Sequence, residues 1–173
     1  MIEEAKSILN RKHLLVVGGT EAERQRFVDE IIITSDFETF RFPKGMKSFG
    51  EYYEFVKKKK LYHPWYKQKT YNMHQILDFH DDWMAGNNSL VIMEELDSME
   101  EEWKIELLRT YLSEIENHKK GEKFIHLIIS QESENGLLQK LSQVVNVREN
   151  ERRTSKQIVE QNIEIVDITS TND

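Results

Sequence analysis

The chain has 173 residues, 38% of them hydrophobic, and a formal net charge of −7. That length allows one domain that buries most of its apolar surface, and three Trp, six Tyr and eight Phe argue for a folded core rather than disorder. The absence of Cys removes disulfides, thiol catalysis and Cys-zinc sites, and the acidic balance argues against whole-surface binding to nucleic acid or anionic membrane.

No apolar run approaches the roughly 20 residues needed to span a bilayer, and the acidic start Met1-Ile-Glu-Glu does not read as a signal peptide. A cytoplasmic protein without membrane contact is the expectation. No repeat or Ser/Gly-rich linker interrupts the chain, so residues 1–173 read as a single domain. Residues 1–12 form its N-terminal helix, and residues 150–173 a C-terminal extension or edge strand. The charge is unevenly spread. From Arg41 to Lys69 nine Lys/Arg face two Glu, a local +7 that leaves −14 for the rest.

In chain order, residues 2–10 predict a short amphipathic helix with Ile2, Ala5, Ile8 and Leu9 on one side. His13–Val17 is a continuous apolar run, the pattern of a strand covered on both faces. Glu21–Ile33 has helical spacing through Ala22, Phe27, Val28 and Ile31, and Phe37–Phe42 is a candidate strand. Ser48–Lys60 and Tyr71–Ala85 predict helices, the second stopped by Gly86-Asn87. Leu90–Met93 is another buried-strand run. Glu100–His118 predicts a long helix closed by Gly121, and Phe124–Ser130 a third buried strand. Gly136–Leu141 reads as a short helix, Val144–Val147 as a strand, Ser155–Gln161 as a helix and Asn162–Ile168 as an edge strand. Strands alternating with helices predict an α/β fold with a largely parallel sheet.

Two stretches carry candidate chemistry. The first is His13–Phe27, "HLLVVGGTEAERQRF", where a buried strand runs through glycines into a helix. A phosphate-binding loop of the pattern G-x-x-x-x-G-K-[ST] cradles phosphates on backbone amides, with Lys on phosphate and the hydroxyl on magnesium. With Gly18 as its first glycine, Glu23 stands at the second glycine, Arg24 at the lysine and Gln25 at the hydroxyl. Thr20–Glu23 instead has the sequence of a capping box. The carboxylates of Glu21 and Glu23 would then stand where a triphosphate belongs, repelling it by roughly 1 kcal/mol per charge pair even in water. The second stretch is Ser89–Met99, "SLVIMEELDSM", four apolar residues followed by the acids Glu94 and Glu95. Six of the nine residues from Glu94 to Glu102 are acidic, which also suits a solvated helix start.

Together these stretches, the long helix after them and "FIHLIIS" ending in Ser130-Gln131 resemble the core of AAA+ ATPases over about Leu14–Asn150. The resemblance implies a three-layer P-loop NTPase-like α/β domain. It implies vestigial nucleotide-binding positions at Gly18, Gly19, Thr20, Arg24 and Gln25, with a magnesium-linked acid at Glu94. Glu95 would stand at the water-activating position and Ser130 or Gln131 at the sensor position. Glu94 replaces an expected Asp, 23 residues follow Asn150 so that the family's C-terminal helical lid is not evident, and Arg109 and Arg148 are candidate trans-acting arginines.

The remaining signals are local. Tyr52–Tyr71 mixes six Lys with seven aromatics, so Lys57, Lys59, Trp65 and Lys67 could bind single-stranded nucleic acid, or the rings could face the core and the lysines water. His74, Asp78, Asp81 and Asp82 could share a helix face and hold a metal, or form a solvated face; His80 and His126 read as core or sheet residues. The expectation is a degenerate P-loop module that acts through protein assembly, in a ring-like complex or on a partner, without turnover or cofactor. One alternative is an active ATPase using ATP and magnesium, with Arg24 on phosphate, Glu94 on the metal and Glu95 as base. The other is a nucleic-acid-binding module using residues 52–71.

Overall fold

The computed structural model describes residues 1–44, 46–59, 89–105, 108, 126–144 and 152–171. Five strands form one sheet: β1 (His13–Val17), β2 (Glu38–Arg41), β3 (Ser89–Glu94), β4 (His126–Ser130) and β5 (Ile163–Asp167), in the order β2-β3-β4-β1-β5. Every neighbouring pair is parallel. Around the sheet lie α1 (Ile2–Leu9), α2 (Glu21–Ile33), α3 (Phe49–Lys59), α4 (Leu137–Val144) and α5 (Ser155–Asn162).

The strands read as unbroken apolar runs because helices cover both faces. Leu14, Val16, Leu90, Ile92 and Ile128 pack with Ala5 and Leu9 of α1 and with Phe27, Val28 and Ile31 of α2. The alternate residues Leu15, Val91, Met93, Leu127 and Ile129 face the other way, against Tyr52 and Val56 of α3, Trp103, Leu141 of α4 and Ile158 of α5. Burying each such aliphatic side chain stabilises the fold by about 1.5–3 kcal/mol, and burial on both faces fixes the register, since a one-residue slip would exchange the two cores. Only β5, at the sheet edge, alternates: Ile163 is buried and Ile165 is exposed.

The sequence places the β1, β3 and β4 cores correctly and misses at the ends. Val144 is the last residue of α4, not the start of a strand; residues 145–147 lie outside the described residues. Leu137 and Leu141 are buried one turn apart, as the helical spacing predicts, and the helix runs on to Val144, past the Leu141 expected. Asn162 closes α5 rather than opening β5, its side-chain amide donating to the Ile158 carbonyl (2.7 Å). The acidic segment starts a helix only at its end: Glu94 ends β3 in the core, a 3₁₀ turn follows over Leu96–Ser98, and α-helix begins at Glu101, over residues 101–105, close to the Glu100 expected. The predicted helix Tyr71–Ala85 lies outside the described residues, as does most of the later half of Glu100–His118.

This strand order positions the site. From β1 the chain crosses to the far edge at β2 and returns through β3 and β4, and β5 then adds on the other side of β1. The carboxyl ends of β1, β3 and β4 therefore converge where the strand order reverses, the usual location of ligand crevices in open α/β sheets.

Candidate functional site

At the end of β1 the chain needs a tight turn, and Gly18 (φ +79°) and Gly19 (φ +57°) supply the left-handed backbone that side chains disfavour. Thr20 is the N-cap of α2, and the expected capping box is formed. The Glu23 amide donates to Thr20 Oγ1 (3.3 Å), and Glu23 Oε2 accepts from the Thr20 amide (2.7 Å) and hydroxyl (2.8 Å). The Gly18 amide donates to the Glu132 carbonyl (3.0 Å) and the Arg24 amide to the Thr20 carbonyl (3.0 Å). The amides of Gly18, Thr20, Glu23 and Arg24 thus all have acceptors within the protein.

Arg24 turns inward. It is buried, and its guanidinium donates from Nη1 to the carbonyls of Gly18 (3.0 Å) and Gly19 (2.9 Å) and from Nη2 to Glu95 Oε1 (2.8 Å). The residue that the sequence aligns with a phosphate-binding lysine is therefore paired with the one expected at a water-activating position. Glu95 itself has φ 54° and ψ 53°, a left-handed conformation costly for a non-glycine residue. Its amide donates to the Ser130 carbonyl (2.8 Å), and its carbonyl accepts from the Ser98 amide (3.3 Å) and hydroxyl (3.0 Å). The strained residue is thereby tied to β4 and to the turn after it.

Cations from β2 and the loop after it complete the cluster. Arg41 Nη2 meets Asp29 Oδ1 of α2 at 2.5 Å, and its Nε lies 3.5 Å from Glu94 Oε2, an ion-pair distance too long for a hydrogen bond. That Glu94 oxygen has no hydrogen-bond partner among the described residues. Lys44 Nζ lies 2.5 Å from Glu21 Oε1 and 3.4 Å from Gln25 Oε1. The hydrogen bond to Glu21, together with the fields of Glu94 and Glu95, raises the Lys44 pKa, and the same bond lowers that of Glu21. Five carboxylates (Glu21, Glu23, Asp29, Glu94, Glu95) thus surround three cations (Arg24, Arg41, Lys44), a local charge of −2. Residues of this kind fit a nucleotide triphosphate poorly: the anions exceed the cations, and the cation nearest the loop is engaged. They also fit magnesium poorly, since Arg41 and not an open coordination position faces Glu94.

The last side of the loop is covered by the end of β5. Asp167 Oδ1 accepts from the Thr169 amide (2.9 Å) and from its hydroxyl, and these oxygens stand so close to Gly18 that a Cβ there would collide with both. Ile168 packs against Gly19. The Thr169 bonds lower the pKa of Asp167.

Of the other sequence candidates, Ser130 and Gln131 are buried at the end of β4. The Gln131 amide donates to the Val16 carbonyl (3.1 Å) and its side chain to the Ser133 carbonyl (2.6 Å), so this residue splices β4 to β1. Tyr52 and Val56 face the core while Lys59 is exposed. The Lys57 side chain, Trp65, Lys67, His74, Asp78, His80, Asp81, Asp82, Arg109 and Arg148 lie outside the described residues. His126 is buried, as its pattern predicts. Sequence reasoning missed Arg41, Lys44, Asp167 and Thr169, which reach the site only because β2 and β5 end beside it. No group of three or more potential metal ligands occurs among the described residues, and no helix there is long and apolar enough to cross a membrane.

No family model matches the sequence, and no curated protein is significantly similar to it. Solved structures do match in shape. Cdc6p from Pyrobaculum aerophilum aligns with a TM-score of 0.59 at 11% identity, over 95% of this chain and 43% of that one. A chain in the structure of Drosophila ORC bound to AT-rich DNA and Cdc6 aligns with a TM-score of 0.58 at 16% identity, over 96% of this chain and 52% of that one. The chain spans about half the length of the proteins it matches. At these identities the likeness is one of fold, and it supports an AAA+-like P-loop fold built on a five-stranded, all-parallel sheet.

Proposed function

We propose that this domain binds a partner protein, or joins an assembly, through its surface and does not turn over nucleotide. The observation that carries the reading is the pairing of Arg24 with Glu95 and with the Gly18 and Gly19 carbonyls. An ATPase of this fold would need a cation directed at phosphate and an acid directed at water, and here the two neutralise each other. Glu23 supplies the carboxylate that satisfies the Thr20 amide, so a phosphate would have to displace a covalently tethered competitor. Tethering gives that competitor a high effective concentration, and the excess local acid adds repulsion. The assembly half of the reading draws on the matched structure, which is titled as ORC bound to DNA and Cdc6, a multi-component complex.

The test is a pair of measurements on the intact chain. Millimolar magnesium-ATP should leave the melting temperature unchanged, since a ligand stabilises only by binding the folded state, and phosphate release should stay at background. Magnesium-dependent turnover that disappears in Glu95→Gln would overturn the proposal.

A further inference from the structure

The edge of β5 differs from the rest of the sheet. Beyond β5 no strand pairs among the described residues, so one line of its backbone donors and acceptors faces outward. Successive β5 residues point to opposite faces: Glu164 is in register with Leu14 on the α1–α2 face, and Ile165 with Leu15 on the α3–α5 face. Open grooves flank both faces. On the α4–α5 side, Ile165, 44% exposed, lines a cavity of about 650 Å³ together with Leu138 and Ser142. On the α1 side, Glu164 lines one of about 430 Å³ with Ile8, Arg11 and Lys12.

The two grooves differ in chemistry. Lys12 Nζ lies 2.6 Å from Glu164 Oε2, so these charges cancel. The Arg11 guanidinium has no hydrogen-bond or ion-pair partner among the described residues, which leaves that groove with one uncompensated positive charge. The opposite groove offers an exposed isoleucine and a partly buried leucine, and among its charged lining residues Lys156 is paired with Glu160 (3.7 Å) and Glu134 accepts from the Gly136 and Leu138 amides. An extended segment laid along β5 would alternate its side chains between them, as any strand does. Exposed sheet edges accept such segments by continuing the ladder, with the pockets for alternate side chains setting specificity.

We propose that the outer edge of β5 is a docking edge for an extended segment of a partner protein, apolar at the residues facing Ile165 and acidic at those facing Arg11. The proposal gives the assembly reading a surface and a partner chemistry. It rests on that reading but not on the closed loop at Arg24.

The probe is a capped peptide of about six residues, a usual strand length, alternating valine and glutamate. It is titrated against the intact protein by NMR and hydrogen exchange. Saturable binding is expected, with slowed exchange of β5 amides. The same peptide N-methylated at alternate amides should not bind, which tests the ladder without altering the protein. Ile165→Lys, a charge of the kind that blunts edges, should weaken binding by about tenfold at an unchanged melting temperature. Arg11→Glu should weaken the glutamate peptide by about tenfold and favour a valine–lysine peptide instead. No saturable binding at millimolar peptide, or equal binding of the N-methylated or lysine peptides to wild-type protein, would overturn the proposal. So would a concentration-dependent dimer that Ile165→Lys disperses, because the edge would then belong to a second copy. Peptide binding alongside stabilisation by ATP would sink the closed-loop reading and leave this one standing.

Discussion

A guanidinium with 4% of its side chain exposed must be hydrogen-bonded, and Arg24 takes two acceptors from the glycine turn just before it and the third from Glu95, 71 residues further along the chain. Removing the guanidinium leaves the Gly18 and Gly19 carbonyls without their charged donor and opens space in the interior, so Arg24→Ala should destabilise the protein by about 3 kcal/mol. Glu95 is 31% exposed and water can partly replace it, so Glu95→Gln, which keeps an acceptor oxygen, should cost about 1 kcal/mol. Chemical denaturation of both variants and of the double variant would show coupling; strict additivity would mean that the pair does not hold the loop. Thr20→Ala removes the α2 cap and should cost about 0.5–2 kcal/mol, and a neutral result would rule out the cap as a stabilising substitute for phosphate. Two glycines give a further contrast. Gly18 and Gly136 both have positive φ, but a Cβ on Gly18 would collide with Asp167 and Thr169, whereas around Gly136 there is open space. Gly136→Ala should cost about 1 kcal/mol for backbone alone, and Gly18→Ala clearly more by the same denaturation assay.

At the scale of elements, α1 docks on the sheet through Ala5 and Leu9 and through one polar contact, His126 Nδ1 with the Leu9 carbonyl (2.8 Å). The carbonyl only accepts, so Nδ1 carries the proton and the neutral ring suffices. The ring lies in apolar surroundings, its centroid 4.0 Å from that of Phe37. Burial holds the His126 pKa below the usual 6.5, against the smaller opposing effect of the Leu9 hydrogen bond. The folded state therefore binds fewer protons than the unfolded chain as pH falls through about 6.5. Stability should decline from that point down to the folded-state pKa and then lose its dependence on this residue. Melting temperatures of wild type and His126→Leu between pH 5 and 8 would check this. The variant should be less stable at neutral pH but show a shallower decline below pH 6.5, and parallel curves would remove His126 as the cause.

For the molecule as a whole, the closed loop and nucleotide affinity should trade against each other. Combining Glu21→Gly, Glu23→Gly, Arg24→Lys and Gln25→Thr removes the Glu23 half of the capping box, which is the tethered carboxylate, together with the Glu21 carboxylate and the arginine pair, and restores the loop pattern. That variant should melt lower than wild type without ligand and gain stability with magnesium-ATP, whereas wild type should gain none. A variant as stable as wild type, and still indifferent to ATP, would show that those four side chains are not what fills the site. Glu94 bears on the same point. Its buried Oε2 faces Arg41 Nε at 3.5 Å, an ion pair in place of an open position for a metal ion.

Much of this was written locally in the chain. Apolar runs of four or five residues predict β1, β3 and β4 because a strand covered on both faces has no polar side to show, and Thr20 and Glu23 predict their own cap because its partners are three residues apart. Where α4 ends and β5 begins was less legible, since Val144 and Asn162 suit either state and packing on the core chooses between them. Strand order was not legible at all. Alternating helices and strands permit many orders, and only the tertiary fold puts β1 between β4 and β5. The pairing of Arg24 with Glu95, the approach of Arg41 and Lys44 and the cover from Asp167 and Thr169 all follow from that order. Each is a contact between segments distant in sequence, and no local pattern encodes it. The sequence alone determined an α/β domain with a self-capped glycine turn; the tertiary structure decided that the arginine beside that turn faces inward, because the acid that pairs with it arrives on another strand.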